Sequence, residues 1–136
     1  MKAVFADSFY YLALLNSDDE AHQEANDFSA TFFRRTIVTS WILTEVADAL
    51  AGVRERNLFV GLLNALRSDP SVTIVPASQD LFDRGAHLYA RRPDKEWSLT
   101  DCISFVVMND LGLTDALTED NHFEQAGFRA LLAAKE

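Results

Sequence analysis

Of four carboxylates spread through the chain, Asp7, Glu45, Asp101 and Asp120, three directly follow an apolar strand or open a helix. Asp7 follows the run Ala3-Val4-Phe5-Ala6, Asp101 opens the stretch from Cys102 to Asn109, and Asp120 comes just after Leu113 to Thr118. Glu45 lies at the border of a helical apolar stripe made by Ile42, Val46, Ala49, Leu50 and Val53. Gathered in one pocket, such groups raise each other's pKa unless a cation neutralises them, so their meeting implies a bound divalent ion. Hard oxygen donors suit Mg2+ or Mn2+, and a shortage of cysteine and histidine argues against zinc. The chemistry such a pocket serves is metal-assisted hydrolysis of phosphodiesters.

Each acid also has a plain structural reading. Asp7 suits the N-cap of a helix starting at Ser8 or Phe9, a role worth ~1 kcal/mol. Asp101 stands three residues after Ser98, the spacing of a capping box, and Asp120 suits an Asx turn. Capping and metal binding are compatible, because one carboxylate oxygen can accept a backbone N–H while the other faces a crevice. Glu45, beside an apolar stripe, needs a partner, whereas Asp48 reads as surface. His22 and His87 read as helix-surface residues, and His122 as a turn residue with Phe123 packed inward, a site role being its alternative. Cys102 reads as a small core residue.

The elements that must position these groups alternate in type. Val4 to Ala6 reads as a buried strand, followed by helical spacing from Phe9 to Leu15. Ser17 is expected to cap an acidic first turn, Asp18-Asp19-Glu20, of a helix running to about Phe33. Thr36 to Thr39 is β-branched throughout and reads as a strand feeding a helix from Trp41 to Ala51, with Ser40 as its cap. Leu58, Leu62, Leu63 and Leu66 mark a further helix ending near Asp69-Pro70, before a strand from Val72 to Val75. Ser78 is placed to cap a helix from Asp80 to Ala90. Arg91 to Glu96 reads as a surface loop, a candidate flap, leading to Trp97. Ser98 to Asn109 then reads as a buried helix closed by Gly112, Leu113 to Thr118 as a fourth strand, Asn121 to Ala126 as a short helix, and Phe128 to Leu132 as a fifth strand. Strand and helix alternation of this kind predicts an α/β domain of three layers, α/β/α, around a central parallel sheet of four or five strands. Ligands of such sheets sit at the carboxyl ends of the strands, where Asp7 and Asp120 would both lie.

The 136 residues fit a single domain over 1–136, and 49% hydrophobic residues suffice for a core without staples. One cysteine excludes an internal disulfide and a cysteine-rich zinc site, which fits a reducing, cytoplasmic setting. No apolar run approaches the length of a membrane span, and Asp7 interrupts the first one too early for a signal peptide, so no membrane partner is expected. A net charge of −9 repels nucleic acid globally, so any RNA contact depends on local cations and on basic pairs such as Arg34/Arg35, Arg54/Arg56 and Arg91/Arg92. Glycine-rich phosphate loops, nucleophile elbows and zinc-protease helices are absent from the sequence.

The order Asp7, Glu45, Asp101, Asp120 resembles that of the PIN-domain ribonucleases, in particular the small VapC-like toxins of prokaryotic toxin-antitoxin pairs. The resemblance spans essentially the whole chain. It rests on Val4-Phe5-Ala6-Asp7-Ser8, on Thr44-Glu45-Val46, and most specifically on Ser98-Leu99-Thr100-Asp101-Cys102-Ile103-Ser104 and Leu117-Thr118-Glu119-Asp120-Asn121-His122-Phe123 with Gly127-Phe128. It implies a parallel sheet of order 3-2-1-4-5 and Mg2+- or Mn2+-dependent RNA cleavage. It also implies frequent homodimers and inhibition by a small antitoxin protein. Asp7, Glu45, Asp101 and Asp120 match the family's acidic positions, and Ser8 and Thr118 match positions where a hydroxyl often stands near the metal or its waters. The acidic surface departs from the pattern of an ideal toxin. Rival readings are a non-toxin RNA-processing nuclease of the same family, a non-catalytic module whose acidic pocket receives a basic peptide, and a phosphomonoesterase. The last calls for a second aspartate two residues after Asp7, where Phe9 stands.

Overall fold

The computed structural model describes residues 2–31 and 34–132. Within them β1 (Val4–Ala6), β2 (Thr36–Thr39), β3 (Val72–Val75), β4 (Asp115–Leu117) and β5 (Arg129–Ala130) form one sheet of order β3-β2-β1-β4-β5, every pairing parallel. Seven helices accompany it among the described residues: α1 (Ser8–Leu15), α2 (His22–Thr31), α3 (Ser40–Ala49), α4 (Arg56–Ser68), α5 (Gln79–Arg91), α6 (Leu99–Leu111) and α7 (Asn121–Gln125). The expected α/β architecture and the strand order 3-2-1-4-5 are both present.

The central strands β1 and β4 are buried at every residue, which is why β1 reads as an unbroken apolar run and not as an alternating one; in β4 the buried Asp115 is accommodated by Arg34. Phe5 pairs with Ile37 on one side and Ala116 on the other, fixing the register of the sheet's middle. Aromatic rings pack under the carboxyl ends of these strands: Phe105 of α6 meets Trp97 and Phe123 edge-on, each at 5.0 Å between centroids, and Phe5 lies 6.2 Å from Phe123. Such pairs add about 0.5–1.5 kcal/mol each beyond simple burial. They also fix α6 and α7, which carry Asp101 and His122, against β1.

Local chemistry sets the helix starts. Ser78 Oγ accepts the Leu81 N–H at 3.1 Å, as expected for α5. At α6, Ser98 Oγ accepts the Asp101 N–H while Asp101 Oδ2 accepts the Ser98 N–H, the reciprocal capping box read from the spacing. Gly112, at φ 66°, ends α6 in the left-handed region that a side chain disfavours.

Two helix starts differ from expectation. The cap of α3 is Thr39, whose Oγ1 accepts the Ile42 N–H at 3.1 Å, so the helix springs directly from the last residue of β2 and Ser40 is already helical. α2 begins at His22 and not near Ser17, because Asn16 Oδ1 takes the Asp18 N–H and Asp19 Oδ1 the Ala21 N–H, closing two turns ahead of the helix. Its expected end at Phe33 lies outside the described residues. The loop after α5 is anchored: Arg92 pairs with Asp94 through two 3.0 Å hydrogen bonds and lies 5.1 Å over the ring of buried Trp97. Trp97 in turn donates to Gln125 Oε1 at 3.1 Å.

Candidate functional site

The order of the sheet reverses direction between β1 and β4, and the chain leaves both strands at the same edge. In an open parallel sheet this is where a crevice forms. Asp7 follows β1 directly, and its backbone N–H still donates to Leu117 of β4 at 3.3 Å, which draws the two strand ends together. Thr118, fully buried, follows β4 and donates its hydroxyl to Asp7 Oδ2 at 2.8 Å. The same Thr118 oxygen accepts the Asp120 N–H at 3.0 Å, so one hydroxyl fixes both acids.

Asp7 holds the N-cap position of α1, yet its side chain makes no capping bond to that helix. Only 6% of the residue is exposed. Burial pushes its carboxyl up from 3.8 to about 7, with the charges of Asp101 and Glu45 adding to the rise against the hydrogen bonds from Thr118 and Ser8. Glu45 reaches the pocket from α3, on the helix that starts where β2 ends. Its carboxyl is raised by burial and by the charges of Asp101, Asp120 and Asp48, while the Ser8 hydroxyl donates to it and partly offsets them. The partner that the border position of Glu45 called for is therefore Ser8.

Asp101 enters from the first turn of α6, oriented by the capping box. Its carboxyl is raised by burial and by Asp120, against the Ser98 N–H and His122. Asp120 caps α7, its Oδ1 accepting the His122 N–H at 2.9 Å, so the Asx-turn reading of this residue holds alongside its place in the pocket. His122 Nδ1 lies 3.1 Å from Asp101 Oδ2 and 3.4 Å from Asp120 Oδ1. Donor atoms of Asp101, Asp120 and His122 all fall within 4.8 Å of one another, a grouping able to hold a metal ion.

All four acids singled out in the sequence therefore face one another electrostatically, and both expected hydroxyls touch them: Ser8 bonds Glu45 and Thr118 bonds Asp7. The donor set fits a hard divalent cation. A carboxylate as buried as Asp7, close to two others, is stabilised only by a proton or a counter-charge, and hydrogen bonding from Thr118 and Ser8 alone leaves it raised to about 7. His122, read from the sequence as a turn residue with a site role as its alternative, stands beside Asp101 and Asp120 in the grouping able to hold a metal ion. The spacing Thr118-x-Asp120-x-His122 carries that placement: the end of β4, the N-cap of α7 and its second residue bring the three groups to one edge.

The basic pairs fare differently. Arg34 donates to Asp115 Oδ2 at 2.9 Å and to the Lys2 carbonyl at 2.8 Å, and Arg35 donates to Thr73. Lys2 and Asp115 lie at the starts of β1 and β4, the opposite end of the sheet from Asp7 and Thr118, so this pair stitches the fold together away from the pocket. Arg56 is bonded to the Ala51 carbonyl and Arg92 to Asp94. No helix among the described residues is long and apolar enough to cross a membrane.

Comparison with known proteins gives a consistent neighbourhood. Over 125 residues the chain is 26% identical to the 23S rRNA-specific endonuclease VapC20 of Mycobacterium tuberculosis, as it occurs in two strains, covering 92% of this chain and 95% of the relative. It is likewise similar to the crystal structure of that VapC20, described as a sarcin-ricin loop cleaving toxin, with a TM-score of 0.83 over 92% of this chain and 95% of the other. No protein-family model matches the chain. The resemblance to VapC-like toxins drawn from four short segments thus extends to nearly the full length of both chains, and the parallel sheet of order 3-2-1-4-5 matches that toxin's fold.

Proposed function

We propose that this protein is a divalent-metal-dependent endoribonuclease acting as the toxin of a toxin-antitoxin pair. The observation that carries the reading is the meeting of Asp7, Glu45, Asp101 and Asp120 at the carboxyl edge of the two central strands, supported by the likeness to a ribosomal RNA endonuclease over nine-tenths of the chain. Asp7, Glu45, Asp101 and Asp120 would hold Mg2+ or Mn2+ directly or through water, as hard oxygen donors do. Once bound, the ion supplies Lewis-acid activation of water and neutralises charge on the phosphate. The chain's own part is to fix the donors. Thr118 orients Asp7, Ser8 orients Glu45, the Ser98 cap orients Asp101, and the α7 cap orients Asp120. Without counter-charge these acids repel a phosphate, so substrate binding and metal binding are coupled by simple electrostatics.

The relative cleaves 23S rRNA, which makes ribosomal RNA the substrate to test first. A small antitoxin protein, a homodimer and a cytoplasmic location complete the proposal. Asp101→Asn retains an acceptor for the Ser98 N–H while losing the charge, so the fold should persist. Incubated with ribosomal RNA and Mn2+, the wild-type protein should cut and stop on addition of chelator, and the variant should be slower by at least about a hundredfold. Equal cleavage by the variant would remove Asp101 from the site, and cleavage indifferent to chelator would remove the metal.

A further inference from the structure

We propose that His122 Nδ1 is a direct ligand of the ion held by the carboxylate pocket, making it a mixed oxygen and nitrogen site that favours Mn2+ over Mg2+. The inference rests on the reading of the pocket as a metal centre and adds a ligand and a selectivity to it. Neighbouring ligands of an octahedral ion at about 2.1 Å stand about 3.0 Å apart. The imidazole nitrogen lies 3.1 Å from one carboxylate oxygen and 3.4 Å from another, close to that spacing on both sides at once. A ring serving only as a hydrogen-bond donor needs one such neighbour.

The backbone that carries the ring is also held there by a chain of bonds that runs through the pocket. The His122 backbone N–H donates to Asp120, the Asp120 backbone N–H to Thr118, and the Thr118 hydroxyl to Asp7. Phe123, fully buried, anchors the next residue in the core, while the His122 side chain keeps 25% exposure, so an ion can reach it from solvent. His22, by contrast, is committed elsewhere, with Nδ1 on the Ala13 carbonyl and Nε2 on Asn26, and His87 is exposed on α5. Imidazole is a good donor to transition ions and a poor one to Mg2+, which prefers carboxylate and water oxygens in a near-ideal octahedron.

Electron spin-echo spectroscopy of the Mn2+-loaded full-length protein reads this directly, because a coordinated imidazole modulates the echo with its nitrogen frequencies. Wild type should show that modulation and His122→Gln should lose it. Competition should separate the ions as well: the Mn2+ to Mg2+ affinity ratio should fall at least about tenfold in the variant, most of the loss being in Mn2+ binding. Bound Mn2+ without nitrogen modulation in wild type overturns the proposal, whatever the variant does, and so does an unchanged ratio in a folded variant. Failure of wild type to bind Mn2+ at all overturns the metal-centre reading together with it, so the two failures are told apart.

Discussion

Asp7→Asn should make the metal-free protein more stable, not less, and should do so only above mildly acidic pH. In the unfolded chain this carboxyl ionises near 3.8, whereas burial raises it to about 7 in the fold. At about 1.4 kcal/mol per unit, the ionised side chain costs the native state about 4 kcal/mol once the pH is well above 7. The sign follows from the direction of the shift. A group with a raised native pKa costs nothing below its unfolded value, and stability is lost as pH rises from about 4 through about 7. Asparagine keeps the shape and an acceptor for the Thr118 hydroxyl but carries no charge, so the variant escapes the loss. Urea denaturation in chelator at pH 4, 6 and 8 should show the two proteins equal at the first, diverging at the second, and separated by up to about 4 kcal/mol at the third. Added Mn2+ should then close the gap by stabilising wild type alone. A variant less stable than wild type at pH 8, or a difference that ignores pH, would refute the account of Asp7 as a charge awaiting a cation.

The far end of the sheet behaves in the opposite sense. Burial raises the Asp115 carboxyl, but the hydrogen bond from Arg34 and the charge of Arg129 together outweigh it and hold it below its ordinary 3.8. With Asp115 and Arg34 side chains 12% and 14% exposed, their pair sits between a surface bridge and a fully buried one. Asp115→Asn should therefore cost about 2 kcal/mol at neutral pH, a cost that fades as pH falls below the carboxyl's native value, where wild type loses the same interaction; acid titration of urea midpoints checks it. Gly85→Ala should weaken the packing of α5 on α6, because an added Cβ meets the Ile103 side chain and lies 3.2 Å from its Cα. A loss of about 1–3 kcal/mol, measured in the same way with cleavage retained, is expected.

The fold was legible where pattern and physics coincide. β-branched runs at Thr36 to Thr39 and Val72 to Val75 have little choice but a strand, the Ser98 and Asp101 spacing dictates its own capping box, and Gly112 supplies the left-handed turn that closes α6. What escaped depends on competition between neighbours. Thr39 and Ser40 are both good caps, and the strand's geometry selects the first. Ser17 lost its role because Asn16 and Asp19 captured the nearby N–H groups. The four acids were legible as types and positions, but their partners were not: nothing local says that Ser8 reaches Glu45 from another helix, or that Arg34 pairs with Asp115, 81 residues away, rather than facing a substrate.

That last pairing bears on the acidic surface, the one feature at odds with a nucleic-acid enzyme. The chain places its charges at opposite ends of the same strands. At the start of β4, Asp115 is neutralised by two arginines; beyond its end, the Thr118 hydroxyl and Asp120 stand among Asp7, Glu45 and Asp101, whose carboxyls are raised by burial and by neighbouring negative charge. Arg34 and Arg129 offset Asp115 at that opposite edge. Asp101 and Asp120 cannot swing into water without giving up the caps of α6 and α7, and Asp7 and Glu45 cannot without losing the Thr118 and Ser8 hydroxyls. The fold thus keeps its donors in place at the cost of repulsion, and a divalent cation relieves that repulsion where a monovalent ion or a distant basic patch would not. On the proposed function, a surface that repels RNA at long range is compatible with cleavage, because a divalent ion held by the acids would deliver the attraction locally.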